Sequence, residues 1–304
     1  MAGCGFLVAQ TITLPAPTHT KKLGFEVWMD RVLERAEQAQ RDWDADDVHD
    51  LRVALRRCRT MAEALDEVNP SPGWRKLKKA SRDLFHALGE LRDIQVERGW
   101  LKRLGPSGDP VRRHMLRLLA GQEKLHRAKA GKAIEAFDRK AWKKLARKLA
   151  PKAQFFPLES VVFQRLALAR LYAAADLFQK ARKSRSTVAW HRLRIGIKHF
   201  RYLVENFLPQ RSEVWGDDLR RMQDLLGEVH DMDVLRAKIR RNSARLSAAA
   251  VAQWNERIEA KRKSCLEEFL QLSAGPNSPW LTWRAGFQWG HALVAASVPV
   301  RRTA

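Results

Sequence analysis

Two stretches of this chain repeat one spacing of side chains suited to holding anions. His49, Arg52, Arg56 and Arg59 stand at His-x2-Arg-x3-Arg-x2-Arg, and His191, Arg194, Lys198 and Arg201 repeat it with Lys at the third position. At about 100° per residue in a helix, the four positions of each copy fall within roughly 80° of one another. Cations three and four residues apart make a ladder of donors, matched to successive phosphates of an extended polyanion. Arginine forks onto phosphate oxygens through two hydrogen bonds, whereas Lys198 supplies a point charge. Arg57, adjacent to Arg56, joins the candidate ligands. A neutral histidine donates one hydrogen bond, and a nearby phosphate favours the imidazolium. Placed in the first turn of their helices, His49 and His191 would share the anion with exposed backbone N–H groups.

The ladders need helices with a buried opposite face. That face reads Leu51, Leu55, Cys58, Ala62 and Leu65 in the first copy, and Leu193, Ile197, Phe200, Val204 and Phe207 in the second. A basic surface of no particular role would keep the apolar positions but has no reason to keep the charge spacing. A second pair of segments matches as well. Leu88-Gly89-Glu90-Leu91-Arg92-Asp93-Ile94-Gln95-Val96 aligns with Leu226-Gly227-Glu228-Val229-His230-Asp231-Met232-Asp233-Val234, on the helix after each ladder. Two matched segments in the same order predict a tandem repeat of a four-helix unit.

Apolar periodicity, caps and breakers place helices near 23–43, 48–68, 74–104 and 109–134 in the first unit. A basic linker helix at 141–150 is expected to stop at Pro151. The second unit has helices near 157–181, 188–208, 212–241 and 244–272, and a short amphipathic piece from 280 to 296 covers the end of the core. Strand patterning is absent after Leu14. The fold class is therefore all-α, a duplicated four-helix bundle. Its divisions are a lead-in at 1–22, halves at 23–150 and 151–275, and an extension at 276–304.

Charge bounds the partners. Lys and Arg number 57 against 34 Asp and Glu, a net charge of +23, with a pI near 10.6. Such a field favours nucleic acid, inorganic polyphosphate or an acidic membrane surface. Cys4, Cys58 and Cys265 make no disulfide or zinc pattern and point to a reducing, cytoplasmic setting. No signal peptide is recognised, and the apolar run at 292–300 is too short to span a bilayer, so no membrane insertion is expected.

Further cations would widen the site: Lys76, Lys78, Lys79 and Arg82, then Arg113, Arg117 and Lys124, with Arg165, Arg170, Arg220 and Arg221 in the second half. Singly each reads as a solubilising residue; together they could wall a groove if the two ladder helices pack near a pseudo-twofold axis. Asp93 and Asp231 are matched acids, read as surface partners of nearby cations or as groups that orient the ladder side chains. Asp231-x-Asp233 is a minimal carboxylate pair for Mg²⁺, but the first half has Asp93-x-Gln95, and no metal or other cofactor is expected. The chain has no Gly-rich phosphate loop, no HExxH, no serine elbow and no Cys-His arrangement. Binding without turnover fits these residues better than catalysis.

Nucleic acid is the serious rival partner. Trp and Phe fall at core spacing, however, and do not interleave with Arg and Lys as stacking platforms. A membrane-surface role would rest on the segment from Trp280 to Trp289, which carries few cations.

The two ladders, each followed by Leu-Gly-x2-(Arg/His)-Asp-x2-Val, resemble the CHAD family of conserved-histidine α-helical domains, over roughly residues 23–273. The resemblance implies two four-helix bundles about a pseudo-twofold axis, with a central basic groove that binds inorganic polyphosphate. It also implies association with polyphosphate granules. The family's histidines and basic residues fall on His49, Arg52, Arg56 and Arg59, and on His191, Arg194, Lys198 and Arg201, with Tyr202 following the second ladder. Many relatives carry a triphosphate-processing barrel before this domain. About 22 residues precede the first helix here, so no hydrolase activity of that kind is expected. Cys58 stands where the second copy has Phe200, which predicts a thinner core in the first copy. Monomer and homodimer are both compatible with the long helices.

Overall fold

The computed structural model describes residues 24–41, 45–184 and 186–287. Residues 1–23, with the expected lead-in at 1–22, residues 42–44, residue 185 and everything after 287, Trp289 included, lie outside them. Among the described residues there are eleven α-helices and no strand. They are α1 (Phe25–Arg41), α2 (Ala45–Val68), α3 (Pro72–Ala80), α4 (Arg82–Leu104), α5 (Pro110–Glu135), α6 (Arg139–Gln154), α7 (Val161–Ser184), α8 (Thr187–Phe207), α9 (Pro209–Arg241), α10 (Ala248–Leu272) and α11 (Pro279–Ala285). The expected all-helical fold is the fold the chain adopts.

The ladder helices are α2 and α8. Every apolar position named for them, from Leu51 to Leu65 and from Leu193 to Phe207, is buried. Helix α2 begins three residues earlier than expected, at Ala45, and α8 one residue earlier, at Thr187, so His49 and His191 lie beyond the first turn of each helix. Their backbone N–H groups are thus inside the helical hydrogen-bond ladder, and the expected sharing of an anion with first-turn N–H groups does not hold. Asp46 and Asp47 occupy the first turn of α2 instead.

Other boundaries differ from the sequence expectation as well. The helix expected at 74–104 is split at Ser81, whose Oγ donates to the Leu77 carbonyl at 3.0 Å and accepts from Arg59 Nη1 at 3.0 Å. No Gly or Pro marks that break; a buried hydroxyl competing for helix carbonyls makes it. Helix α5 runs to Glu135, close to the expected 109–134, through Gly121 and Gly131. Pro151 does not stop α6. It falls in the last turn, where a lost N–H costs little, and its own carbonyl accepts from Phe155 N at 3.2 Å. Residues 157–160 form a turn, not the start of α7. Glu159 there has φ 60°, and its N–H donates to the Phe207 carbonyl at 2.9 Å. Its carboxylate takes Arg211 Nη1 at 2.6 Å and Gln210 N at 2.8 Å, so three tertiary bonds hold a backbone conformation that costs of order 1 kcal/mol or more.

Packing joins the halves. The main contacts between them pair each helix with its sequence counterpart, α2 with α8, α4 with α9 and α5 with α10. One large apolar core takes residues from Phe25 to Leu149 in the first half and from Phe163 to Phe287 in the second. A second core gathers Ile94, Trp100, Leu101, Val111, Met115 and Leu119 with Met232, Leu235, Ile239, Trp254 and Ile258. It is a four-helix cluster made of one hairpin from each half, α4–α5 and α9–α10. Cys58 is fully buried, opposite Phe200 in the repeat, and both positions are filled without exposure. At the end of the large core, Trp283 is fully buried and Trp280 stacks on Phe178 with centroids 5.5 Å apart. These rings close the core and present no adhesive patch.

Candidate functional site: a basic seam between the ladder helices

The packing of α2 on α8 turns the two ladders toward a common seam, with α4 behind α2 and α9 behind α8. Arg52, Arg56, Arg194 and Lys198 meet there, each part-exposed. Their mutual repulsion is felt most at Lys198. Burial, followed by Arg194, Arg56 and Arg52, lowers its pKa to about 8. Burial and Arg56 also push the Arg52 guanidinium down, with Asp93 opposing. Arg52 Nε and Arg194 Nε, matched atoms of the two copies, are both buried without a hydrogen-bond partner. A buried donor left unpaired costs of order 1–3 kcal/mol, so the seam holds unspent donor capacity at equivalent positions.

Aromatic faces support the cations. Tyr202 is buried and carries Arg56 Cζ at 5.0 Å and Lys198 Nζ at 5.7 Å from its ring centroid. Phe85 of α4 does the same for Arg52 at 5.2 Å and Arg59 at 5.0 Å. Cation–π contacts of this kind hold long side chains in place without neutralising them. Phe85 had no sequence signal beyond an apolar slot in a helix.

The Leu-Gly segments supply the seam's flanks. Gly89 lies under Arg52, with 3.8 Å from the point where a Cβ would stand to Arg52 Nε. Asp93 is water-accessible, yet surrounding protein strips part of its hydration and raises its pKa against the pull of Arg52 and Arg194. Burial likewise raises Asp231, which accepts from Trp100 Nε1 of α4 at 3.0 Å and feels Arg194. Both carboxylates therefore sit with ladder cations. Asp233 is taken by Arg262 at 2.9 Å, so Asp231 and Asp233 serve different partners. Among the described residues no group of three or more His, Cys, Asp or Glu is gathered in a metal-holding arrangement.

The histidines have separate neighbours, Arg92 and Arg56 for His49 and His230 for His191. His49 has its pKa lowered by burial and then by Arg92 and Arg56. His191 Nδ1 is 3.4 Å from His230 Nδ1, and burial, Arg194 and His191 lower His230 to about 4. Arg92 and His230 are matched positions of the repeated segment, and sequence reasoning passed over both. The signal was there in the varying position of Leu-Gly-x2-(Arg/His)-Asp.

Sequence comparison agrees with this geometry. The family model for the CHAD domain matches residues 28–240, a span that contains both ladders and both Leu-Gly segments. The chain belongs to the CHAD family. Among solved structures it is similar to the CHAD domain of the plant Ricinus communis, with a TM-score of 0.54 and 23% sequence identity over 88% of this chain and 89% of that one. That likeness speaks for the fold alone. No curated protein matches.

Within the CHAD fold the remaining candidates separate by partner. Arg57 and Arg201 both hold Glu205, at 2.9 Å and 2.6 Å, and Arg57 Nη1 also donates to Asn206 Oδ1 at 2.8 Å. Arg59 donates to the Lys78 carbonyl at 2.6 Å as well as to Ser81. Arg170 is paired with Glu67 at 2.7 Å, Arg82 with Asp83 at 2.9 Å, Arg220 with Asp217 and Arg221 with Glu268. Lys78 pairs with Glu63 at 2.8 Å. Arg113 and Arg117 line a separate cavity with His114 and Arg245, beside the second core. Lys76, Lys79, Lys124 and Arg165 are exposed on other helix faces. The CHAD seam is thus built from two cations of each ladder, while Arg59 is held by the Lys78 carbonyl and Ser81, and Arg201 by Glu205 of its own helix.

Proposed function

We propose that this chain binds inorganic polyphosphate along the seam and does not turn it over. The carrying observation is the convergence of Arg52, Arg56, Arg194 and Lys198 from two helices, with Arg52 Nε and Arg194 Nε unpaired. Such a cluster is costly in the free protein and is relieved by a ligand bearing closely spaced negative charge. Positions three or four residues apart advance about 5–6 Å along a helix, a pitch that an extended chain of phosphates can follow across both ladders. Membership supports the same reading, because the CHAD family is linked in general to polyphosphate binding. Binding of this kind would place the protein on polyphosphate granules.

Nucleic acid makes the poorer ligand for this seam. Tyr202 and Phe85 have cations over their rings, which leaves those faces unavailable for base stacking.

The test is a competition titration at physiological salt, long-chain polyphosphate against duplex DNA and RNA, on the wild type and on an Arg56→Glu/Lys198→Glu double variant. Polyphosphate is expected to win, and the double variant is expected to lose polyphosphate affinity by at least about a hundredfold with helicity intact. Tighter nucleic-acid binding, or unchanged polyphosphate affinity in the double variant, sinks the proposal.

A further inference from the structure

A second basic surface lies away from the seam. Helix α6 packs chiefly on α1 and α3, not on the four helices that flank the seam. Its inner face is Trp142, Ala146, Leu149 and Ala150, all buried. Its outer face carries Lys140, Lys143, Lys144, Arg147 and Lys148, all exposed. At about 100° per residue these five fall within roughly 140° of one another. Among the described residues none of the five is joined to a carboxylate, although ion pairs are common elsewhere on this surface.

The same face changes character at its C-terminal end. Phe155 continues the helical register with φ −59° and ψ −26°, and so projects on the side of Lys144 and Lys148. It is 75% exposed, the most exposed large apolar side chain described. Phe156 links it to the start of α7, with ring centroids 5.1 Å from Phe155 and 6.2 Å from Phe163. On that first turn of α7, Val161 and Val162 are exposed too. Glu26 accepts from Gln154 Nε2 at 3.5 Å, and Glu159, in the turn before α7, is taken by Arg211 at 2.6 Å.

We propose that the outer face of α6, with Phe155 and the first turn of α7, docks this protein on an anionic phospholipid surface. The cations match the lipid phosphates and the apolar tip matches the acyl boundary beneath them. The apolar tip is what selects this partner. Inorganic polyphosphate has nothing to bury a phenyl ring or a valine. A nucleic acid can stack on an aromatic ring but gains nothing from two exposed valines. No membrane-spanning helix is involved; the helix would lie in the plane of the interface.

The test is co-sedimentation of the full chain with vesicles of phosphatidylglycerol and phosphatidylcholine in equal parts, against vesicles of phosphatidylcholine alone. Binding is expected only to the anionic vesicles, weakening as salt rises. Lys144→Glu/Arg147→Glu is expected to reduce partitioning by at least about tenfold, and Phe155→Ser by about tenfold with charge unchanged. Should the charge-reversed protein fold poorly by circular dichroism, Lys140→Gln/Lys143→Gln gives the same reading in milder form. The seam variant Arg56→Glu/Lys198→Glu is expected to leave vesicle binding in place, which separates this proposal from the polyphosphate reading. Absence of wild-type binding to anionic vesicles overturns the proposal. So does vesicle binding that is lost in the seam variant. An α6 variant that weakens duplex RNA binding and leaves vesicle binding intact assigns the face to nucleic acid and overturns it equally.

Discussion

Arg57 of α2 reaches across the seam to Glu205 of α8, with Nη2 to Oε2 at 2.9 Å, and Glu205 takes Arg201 of its own helix at 2.6 Å on the other oxygen. Glu205 is buried. The network continues through Asn206, which accepts from Arg57 and donates to Thr60 Oγ1 at 3.0 Å. One carboxylate thus pairs with one of the eight ladder positions, Arg201, and with Arg57 beside the first ladder, and ties together the two helices that carry the rest.

Replacing that carboxylate is expected to cost more than any exposed ion pair. Glu205→Gln leaves two part-buried guanidinium groups without their counter-charge, and the expected loss is about 3 kcal/mol. Urea unfolding measures it. A loss under about 0.5 kcal/mol would show that the network is not what holds α2 on α8.

Lys198 is expected to trade stability for binding. Its pKa of about 8, against an ordinary 10.5, means that charging it is unfavourable in the fold. Lys198→Met is therefore predicted to stabilise the free protein by about 1 kcal/mol after allowance for solvent screening, while weakening polyphosphate. The wild type has the matching pH signature. Between about 8 and 10.5 the unfolded chain binds more protons at this site, so Lys198 contributes stability that grows as pH rises through that window. The stability advantage of Lys198→Met is therefore expected to shrink across that window, and an advantage that stays flat or grows would contradict the assignment.

The same group makes binding pH-dependent. A polyanion beside Lys198 raises its pKa, so binding near pH 8 takes up protons and affinity falls as pH rises through about 8. Titration calorimetry in two buffers of different ionisation enthalpy reads the uptake directly. Lys198→Arg is expected to flatten the dependence and keep the affinity. Equal heats in the two buffers would rule the linkage out.

Arg92 and His230 occupy one position of the repeat but differ in charge, since His230 titrates at about 4. Making the second copy like the first, His230→Arg, is expected to tighten polyphosphate by about tenfold, and Arg92→His to weaken it by a similar factor. If neither change moves the dissociation constant, that end of each ladder lies off the ligand path.

The helices and their buried faces were legible in the sequence because period and composition agree over long stretches. Ser81, Pro151 and Glu159 were not, since each boundary is set by a bond to another element or by where a residue falls in the last turn. Ser81 holds Arg59, and Glu159 holds Phe207 and Arg211. The ladder spacing was legible as a pattern of eight cationic or histidine positions, but the pattern assigns them all alike.

What the sequence determined by itself is the all-helical class, the repeat, and which face of each ladder helix is wet. Those follow from the 3.6-residue period, which one strand of text displays. The division of labour along that face was decided only in three dimensions. Glu205 holds Arg57 and Arg201, and Ser81 and the Lys78 carbonyl hold Arg59, whereas Arg52, Arg56, Arg194 and Lys198 converge at the seam. Counter-charges arrive from residues distant in the chain, and no spacing within one helix says which cation they will reach.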